Sequence, residues 1–496
     1  MCQVEEEYHG PLLREELPEE LPSVSRQCVK CKEASAAVVI RAGDAYCRGC
    51  FKDYFIHKFR AMLGKNRLIF PEEKVLLAVS GGPSSCSMLS QVQEGLSQNA
   101  HKKLRFLPGI VYIDEGGAVG QSAEHRRRTV EELRAVFRAT GLPFLTVPLE
   151  QVLDLPSSVV LSAPGASEQE AGAYKAAVDH FLLSDGSSGV TAGQQQETPP
   201  PEVQEAHTHS LQRLLGSART LTAREELLSI LRQHLLVHTA RSAGYSKLML
   251  GDSCTRLAVK LLSSISLGRG AQLAHDTGFS DSRYGDTILV RPMRDYSAKE
   301  IAYYNRMFSV PSVFTAGLDT KTADKSSIQH LTESFVIKLQ ADFPSTVSTI
   351  YRTSEKLQSC KGSASAGGDR CLLCVCALDT AAENASAFSA TLISEQLSQK
   401  KSPGESRQAP ASQCCSIVGG ELCGNGGRGC CSSAKASEPP PLRSLLCYSC
   451  QLTIKDMASE EVLPQYILSE AERRLRRSQL REEIRDFLLE GEADEG

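Results

Sequence analysis

Short apolar runs alternate with amphipathic stretches through the middle of the chain. Val75-Leu76-Leu77-Ala78-Val79, Ile110-Val111-Tyr112-Ile113 and Phe144-Leu145-Thr146-Val147 have strand length and almost no polar interruption. Lys247-Leu248-Met249-Leu250 and Thr287-Ile288-Leu289-Val290 repeat the pattern. Runs of this kind suit strands buried on both faces. Between them the apolar residues fall at helical spacing. The segment 123–139 turns Leu133, Val136 and Phe137 inward and ends at Gly141. Residues 222–243 and 298–307 are further helices, and Phe51 to Leu63 places Phe51, Phe55, Phe59 and Met62 on one face. Strands separated by helices predict a parallel α/β sheet with right-handed crossovers.

The rhythm breaks in several places. Residues 1–25 are acidic and rich in proline, and are expected to be flexible. A cysteine ribbon and its linking helix occupy 26–63, and the α/β domain 70–310. Within that domain Asp185-Gly186-Ser187-Ser188-Gly189 and Gln194 to Pro201 mark a disordered insertion near 184–207. A helical extension follows at 311–370. A split cysteine module covers 371–450 with a low-complexity insertion at 398–441, and a C-terminal helix at 459–490 ends in an acidic tail.

Composition narrows the class. The 496 residues carry 55 Lys and Arg against 59 Asp and Glu, a net charge of −4. Any nucleic-acid contact must therefore come from local basic patches. No apolar run approaches 18 residues and the N-terminus lacks a signal-peptide pattern, so a cytoplasmic protein without membrane contact is expected. In a reducing compartment its 18 cysteines are not expected to form disulfides. Eight of them make four C-x-x-C pairs. Cys28/Cys31 and Cys47/Cys50 form C-x2-C-x15-C-x2-C, enclosing the hairpin Ala36 to Asp44. Two such turns complete a tetrahedral sulfur site suited to zinc. Cys371/Cys374 and Cys447/Cys450 are about 70 residues apart, but closure entropy grows only with the logarithm of loop length, so they are expected to share a second zinc site. Cys376 and the loop cysteines from Cys414 to Cys431 are read as spectators, and Cys86 and Cys254 as packing residues.

The most chemical segment is Ser80-Gly81-Gly82-Pro83-Ser84-Ser85, directly after the first buried strand. A strand, a glycine-rich turn and a helix start together make an anion site, because free amides and the helix dipole face the ligand. The segment resembles the S-G-G-x-D-S loop of the PP-loop ATP-pyrophosphatases, with Ser84 at the position of their Asp. Asp114-Glu115-Gly116-Gly117 follows the second strand, where that family binds adenine. Gly251-Asp252-Ser253 ends the fourth strand, and Arg291-Pro292-Met293 with Glu300-Ile301 resembles a motif of PP-loop tRNA-modifying enzymes. With C-x-x-C pairs at both ends, the arrangement resembles the cytoplasmic tRNA thiouridylases. The implied fold is a Rossmann-like PP-loop core, of the adenine nucleotide alpha hydrolase type, flanked by zinc-ribbon-like modules.

Two departures decide which kind of thiouridylase chain is expected. Ser84 cannot neutralise magnesium as an aspartate would, although Asp114 or Asp252 stands on the adenine or metal side. No cysteine lies between Cys86 and Cys254, where catalytic members keep a C-x-x-C. The resemblance therefore implies a divergent, non-catalytic subunit. It would pair with a catalytic PP-loop paralogue that modifies the wobble uridine (U34) of tRNAs for Lys, Glu and Gln. The sulfur would come from a thiocarboxylated ubiquitin-related modifier. The alternatives are an active ATP- and magnesium-dependent tRNA sulfurtransferase, or a zinc-ribbon RNA-binding adaptor without nucleotide chemistry. Candidate tRNA contacts are Arg269, Arg291, Arg473, Arg474, Arg476 and Arg477.

Overall fold

The computed structural model describes residues 26–40, 43–100, 103–161, 174–175, 177–178, 204–318, 320, 326–354, 370–378 and 441–484. They fall into two compact units, divided between Lys58 and Phe59. In the first, β1 (Val38–Val39) pairs antiparallel with β2 (Ala45–Tyr46), as the hairpin reading expects. Helix α1 (Arg48–Asn66) starts inside the second cysteine pair, and Phe51 and Phe55 on it are fully buried.

The second unit is built on a six-stranded sheet. Its strands are β3 (Lys74–Ala78), β4 (Leu107–Asp114), β5 (Phe144–Pro148), β6 (Lys247–Leu250), β7 (Ser280–Asp281) and β8 (Ile288–Val290). The order is β5-β4-β3-β6-β8-β7. All neighbours are parallel except β7, which runs antiparallel to β8 at the edge. The predicted strands all appear, and β7 is an addition: two residues offer no periodicity to read. Val75, Leu76, Leu77, Ile110 and Val111 are at most 1% exposed, which is why these runs contain almost no polar residue.

The helices follow the sequence pattern closely. They are α2 (Pro83–Leu96), α3 (Ala123–Arg138), α4 (Glu205–Ser217), α5 (Leu221–Ser242), α6 (Cys254–Ser266), α7 (Leu273–Thr277) and α8 (Ala298–Met307). Ser122, Thr220, Ser253 and Ser297 cap α3, α5, α6 and α8 through their hydroxyls, and Ser297 with Glu300 forms a capping box. One expectation is corrected. The insertion placed near 184–207 is already helical at Glu205, because Leu211, Leu214 and Leu215 of α4 bury themselves in the main core. Its earlier residues lie outside the described ones, as does the low-complexity segment up to residue 440. The extension consists of α9 (Ile328–Asp342) and α10 (Pro344–Thr353), whose Val336, Val347 and Tyr351 pack on Leu257 and Ala258 of α6.

The C-terminal cysteine module is part of the core. Cys371, Leu372, Leu373, Cys376 and Cys450 belong to the same cluster as Leu76, Val111 and Leu248 of the sheet. Helix α11 (Tyr448–Lys455) starts inside the last pair, capped by Cys447 and carrying Cys450, and α12 (Gln465–Glu483) returns over it with Tyr466, Ile467 and Ala471 inward.

Strand order reverses between β3 and β6. In open parallel sheets the crevice outside the strand ends at such a point is the usual ligand position. Here the turn after β6 presses into it. A methyl group on Gly251 would lie 2.8 Å from Ser85 Cα and 3.0 Å from Ser85 N. Gly251→Ala should therefore cost about 1–3 kcal/mol in urea unfolding, because backbone and not a flexible side chain must yield. Gly64→Ala, with nothing within 4 Å, is the control expected to be neutral or stabilising.

Candidate functional site

The anion turn after β3 has the local geometry its sequence implies. Gly81 sits at φ +85°, and a Cβ there would come within 2.8 Å of Leu133 Cδ2. Pro83 opens α2, where its missing N–H costs nothing. The turn is nevertheless closed over. The Ser84 hydroxyl donates to the Gly251 carbonyl. Ser85 Oγ donates to Gly82 O at 3.1 Å and lies 3.2 Å from Ser80 Oγ. From the other side Val313 N donates to Gly81 O at 2.9 Å, and Asn305 Nδ2 to Pro83 O at 2.8 Å. Ser80, Gly81, Gly82, Ser84 and Ser85 thus come together as expected, but the hydroxyls of Ser84 and Ser85 are engaged by the protein itself.

The acidic candidates are engaged as well. Asp114, at the end of β4, accepts from Gly116 N and from Arg126 Nε, both at 2.9 Å. Arg126 also reaches Glu150 at 2.7 Å, so one buried guanidinium bridges two carboxylates. Burial alone would lower the Arg126 pKa; Glu150 and Asp114 raise it. Arg126 is therefore internal, unlike its neighbours Arg127 and Arg128 in the same basic stretch. Asp252 pairs with Arg291 at 3.3 Å. Burial pushes its carboxyl up, but Arg291, Lys260 and Arg256 bring it below the ordinary range.

Among the described residues, the two thiols near the turn, Cys86 and Cys254, are both buried. Cys86 is buried against Gly81 O at 3.2 Å, and burial pushes it up to about 11. Cys254 is 4% exposed and packs among Leu257 and Ala258. Both fit the packing role.

The cysteine pairs do converge. Cys28, Cys31, Cys47 and Cys50 bring their sulfurs within 4.8 Å of one another, and so do Cys371, Cys374, Cys447 and Cys450. Cys31 to Cys47 is 3.9 Å and Cys374 to Cys447 is 3.6 Å. A tetrahedral S4 site with metal–sulfur bonds of ~2.3 Å has edges of about 3.8 Å. Both sets therefore fit a metal. At Cys28 burial opposes ionisation, yet amides from Cys31, Cys47 and Lys30 hold the thiol down to about 6. Cys447 is held at about 4, first by its contact with Cys371. Metal binding requires thiolates, and within each group the charge is unevenly shared: burial pushes Cys50 up to about 12, and the contact with Cys371 pushes Cys450 up.

The basic candidates divide. Arg291 is 1% exposed, and besides Asp252 it donates to His275 O and Gly278 O at 3.1 and 3.0 Å. It locks the sheet edge and presents nothing to an RNA. Arg269 is likewise internal: it pairs with Glu226 at 2.7 Å and donates to Ser449 Oγ at 3.0 Å. Burial would lower its pKa, but Glu226, Cys450 and Cys374 raise it, so it is a fixed positive charge beside the second sulfur group. Arg474 bonds Glu470, Arg370 O and Val160 O, tying α12 to the core. Arg473, Arg476 and Arg477 remain exposed on α12.

Sequence reasoning missed the residue that fastens the second sulfur group. His234 of α5 is fully buried, with Nδ1 2.7 Å from Tyr466 Oη and Nε2 2.7 Å from Leu373 O. It joins α5, α12 and the Cys371–Cys374 turn. A lone histidine in an apolar helix gave no signal of this. The ion pairs Arg283–Asp276 and Arg283–Asp281, at 2.5 and 2.6 Å, were missed for the same reason.

These features define a doubly wound α/β protein with a closed glycine- and serine-rich turn after β3 and two four-cysteine groups, one embedded in its core. A model of the family described as cytoplasmic tRNA 2-thiolation protein 2 matches residues 327–452. That range holds α9, α10 and the whole second sulfur group. The protein of that name from Danio rerio is 56% identical over 509 residues, covering 100% of both chains. The one from Homo sapiens is 52% identical over 518 residues, covering 100% of this chain and 99% of its own. Among solved structures, the U34-tRNA thiolase NcsA from Methanococcus maripaludis with its [4Fe-4S] cluster is 14% identical, with a TM-score of 0.45 over 67% of this chain and 87% of that one. The chain belongs to the cytoplasmic tRNA 2-thiolation protein 2 family.

Two outcomes follow from the sulfur groups and their clamp. Elemental analysis should find two equivalents of metal, and Cys28→Ser/Cys47→Ser should lose one while barely moving the unfolding of the α/β unit. Cys371→Ser/Cys450→Ser should lose the other and lower that unfolding midpoint sharply, because both residues are fully buried in the main core.

His234 carries the pH dependence. Burial holds its imidazole down to about 4, from an ordinary 6.5. The unfolded chain takes up a proton below pH 6.5 that the folded chain refuses, so this stability is complete above pH 6.5 and lost towards about 4. At the lower end the loss approaches about 3 kcal/mol. Urea midpoints of wild type and His234→Gln should converge as pH falls; a constant gap would refute the assignment.

Proposed function

We propose that this chain is the non-catalytic subunit of the machinery that 2-thiolates tRNA in the cytoplasm. Its role in tRNA thiolation and its compartment follow its family. No helix among the described residues is long and apolar enough to cross a membrane. The finer reading is that it pairs with a catalytic PP-loop paralogue acting on U34 of tRNAs for Lys, Glu and Gln. A thiocarboxylated ubiquitin-related modifier would supply the sulfur. Zinc in the two sulfur groups would hold their turns in shape, a structural role that asks only for four thiolates.

The observation that carries this reading is the closed turn. A nucleotide loop works by offering donors to phosphate. Here Ser84 donates to Gly251 O, and Gly251 packs against Ser85 N. Asp114 and Asp252, the carboxylates nearest the strand ends, are held by Arg126 and Arg291. Neither Cys86 nor Cys254 is exposed for sulfur transfer. What is left for tRNA is a surface, with Arg473, Arg476 and Arg477 as its candidate contacts.

The test compares the chain alone with the chain bound to its catalytic paralogue. Alone it should bind tRNA weakly and release little AMP from ATP. Together the two should support thiolation. Robust tRNA-dependent AMP formation by the lone chain would overturn the non-catalytic reading.

A further inference from the structure

A cavity of about 110 Å³ lies between α5, α6 and the turns of the second sulfur group. Its wall includes Gln233, Lys260, Arg269, Cys376 and Tyr448. It is separate from the closed anion turn, whose residues do not line it, and nothing in the proposed function uses it.

The charges around it are almost fully committed. Arg269 holds Glu226 at 2.7 Å, Arg291 holds Asp252 at 3.3 Å, and Arg283 holds Asp276 and Asp281 at 2.5 and 2.6 Å. Lys260 is the exception. Among the described residues its ammonium has no hydrogen bond or ion pair, although Asp276 and Asp252 act on it at longer range. Gln233 adds a buried Nε2 without a hydrogen-bond partner. Both groups are donors, and the Gln233 amide is a buried one left unmet.

We propose that this cavity binds a carboxylate, held by the Lys260 ammonium and the Gln233 amide. Two donors match two acceptor oxygens. The charge balance selects the valence. Arg269, Arg283 and Arg291 are already committed to carboxylates, so Lys260 offers a ligand one uncommitted positive charge. A single-charge ligand with acceptor-only oxygens is therefore preferred to phosphate. The cavity has room for several waters, enough for a carboxylate group with part of its shell.

The test uses the metal-loaded full chain, titrated with acetate, phosphate or chloride at constant ionic strength. A glycine-terminated peptide and its C-terminal amide separate free carboxylates from chain-terminal ones. Acetate should bind saturably and raise the melting temperature, by ligand linkage. Lys260→Met and Gln233→Leu should each weaken it at least tenfold. Lys260→Met should still fold, because it removes an ammonium without a partner. Ser85→Ala, in the anion turn, should bind like wild type. No response of wild type to either carboxylate, equal binding by Lys260→Met, or a phosphate effect as large as that of acetate would each overturn the proposal. So would a response only at molar acetate, an adventitious ion only. A preference for the free-carboxyl peptide over both acetate and its amide would extend the site to a peptide terminus.

Discussion

The contact on which this molecule turns is the meeting of two loops at the reversal of strand order. β3 and β6 are paired in parallel from Val75 and Lys247 to Ala78 and Leu250, so their following turns must emerge side by side. In an open α/β sheet that emergence leaves a crevice. Here Gly251 lets the second turn lie directly on the first turn of α2, and Ser84 secures it with a hydrogen bond. The parallel sheet places the turns; the absence of one side chain lets them close. The segment ending at Val313 and Thr315 then crosses the same loop from outside.

The second sulfur group depends on the sheet in a different way. Cys374 and Cys447 are 73 positions apart, and closing so long a loop has a large but slowly growing entropic cost. That cost is offset by burial. Leu372, Leu373, Leu446 and Ile454 around the cysteines are at most 2% exposed in the main core, and His234 fixes Leu373 O with a buried hydrogen bond. The first group closes over 16 positions between Cys31 and Cys47 and carries its own small hairpin. One sulfur group is a local ribbon and the other a seam of the core, although their C-x-x-C signatures look alike.

This difference marks the limit of what the sequence conveys. Apolar runs such as Val75 to Val79 report burial on both faces, so five strands and their helices are legible from pattern alone. Helix starts are legible because Ser122, Thr220 and Ser297 are capping types. Metal spacing within a C-x-x-C is legible because it is set by one turn. Long-range partnerships are not. Arg126 and Arg127 are neighbours in one basic stretch, yet one bridges Asp114 and Glu150 while the other faces solvent. Arg473 and Arg474 differ likewise, since successive helical positions point about 100° apart. Charge clusters on helices hence overstate a basic surface, and only packing separates the anchors from the exposed groups.

The residue at position 84 links the chemistry of the turn to its shape. An aspartate at this position would, once ionised, accept hydrogen bonds only. Facing the Gly251 carbonyl, it would set acceptor against acceptor and push the β6 turn away from α2. A serine hydroxyl reverses the sign of that contact, because it donates. The serine thereby supplies the donor that holds the crevice shut. In this chain the turn after β3 is a fastening between two halves of its sheet.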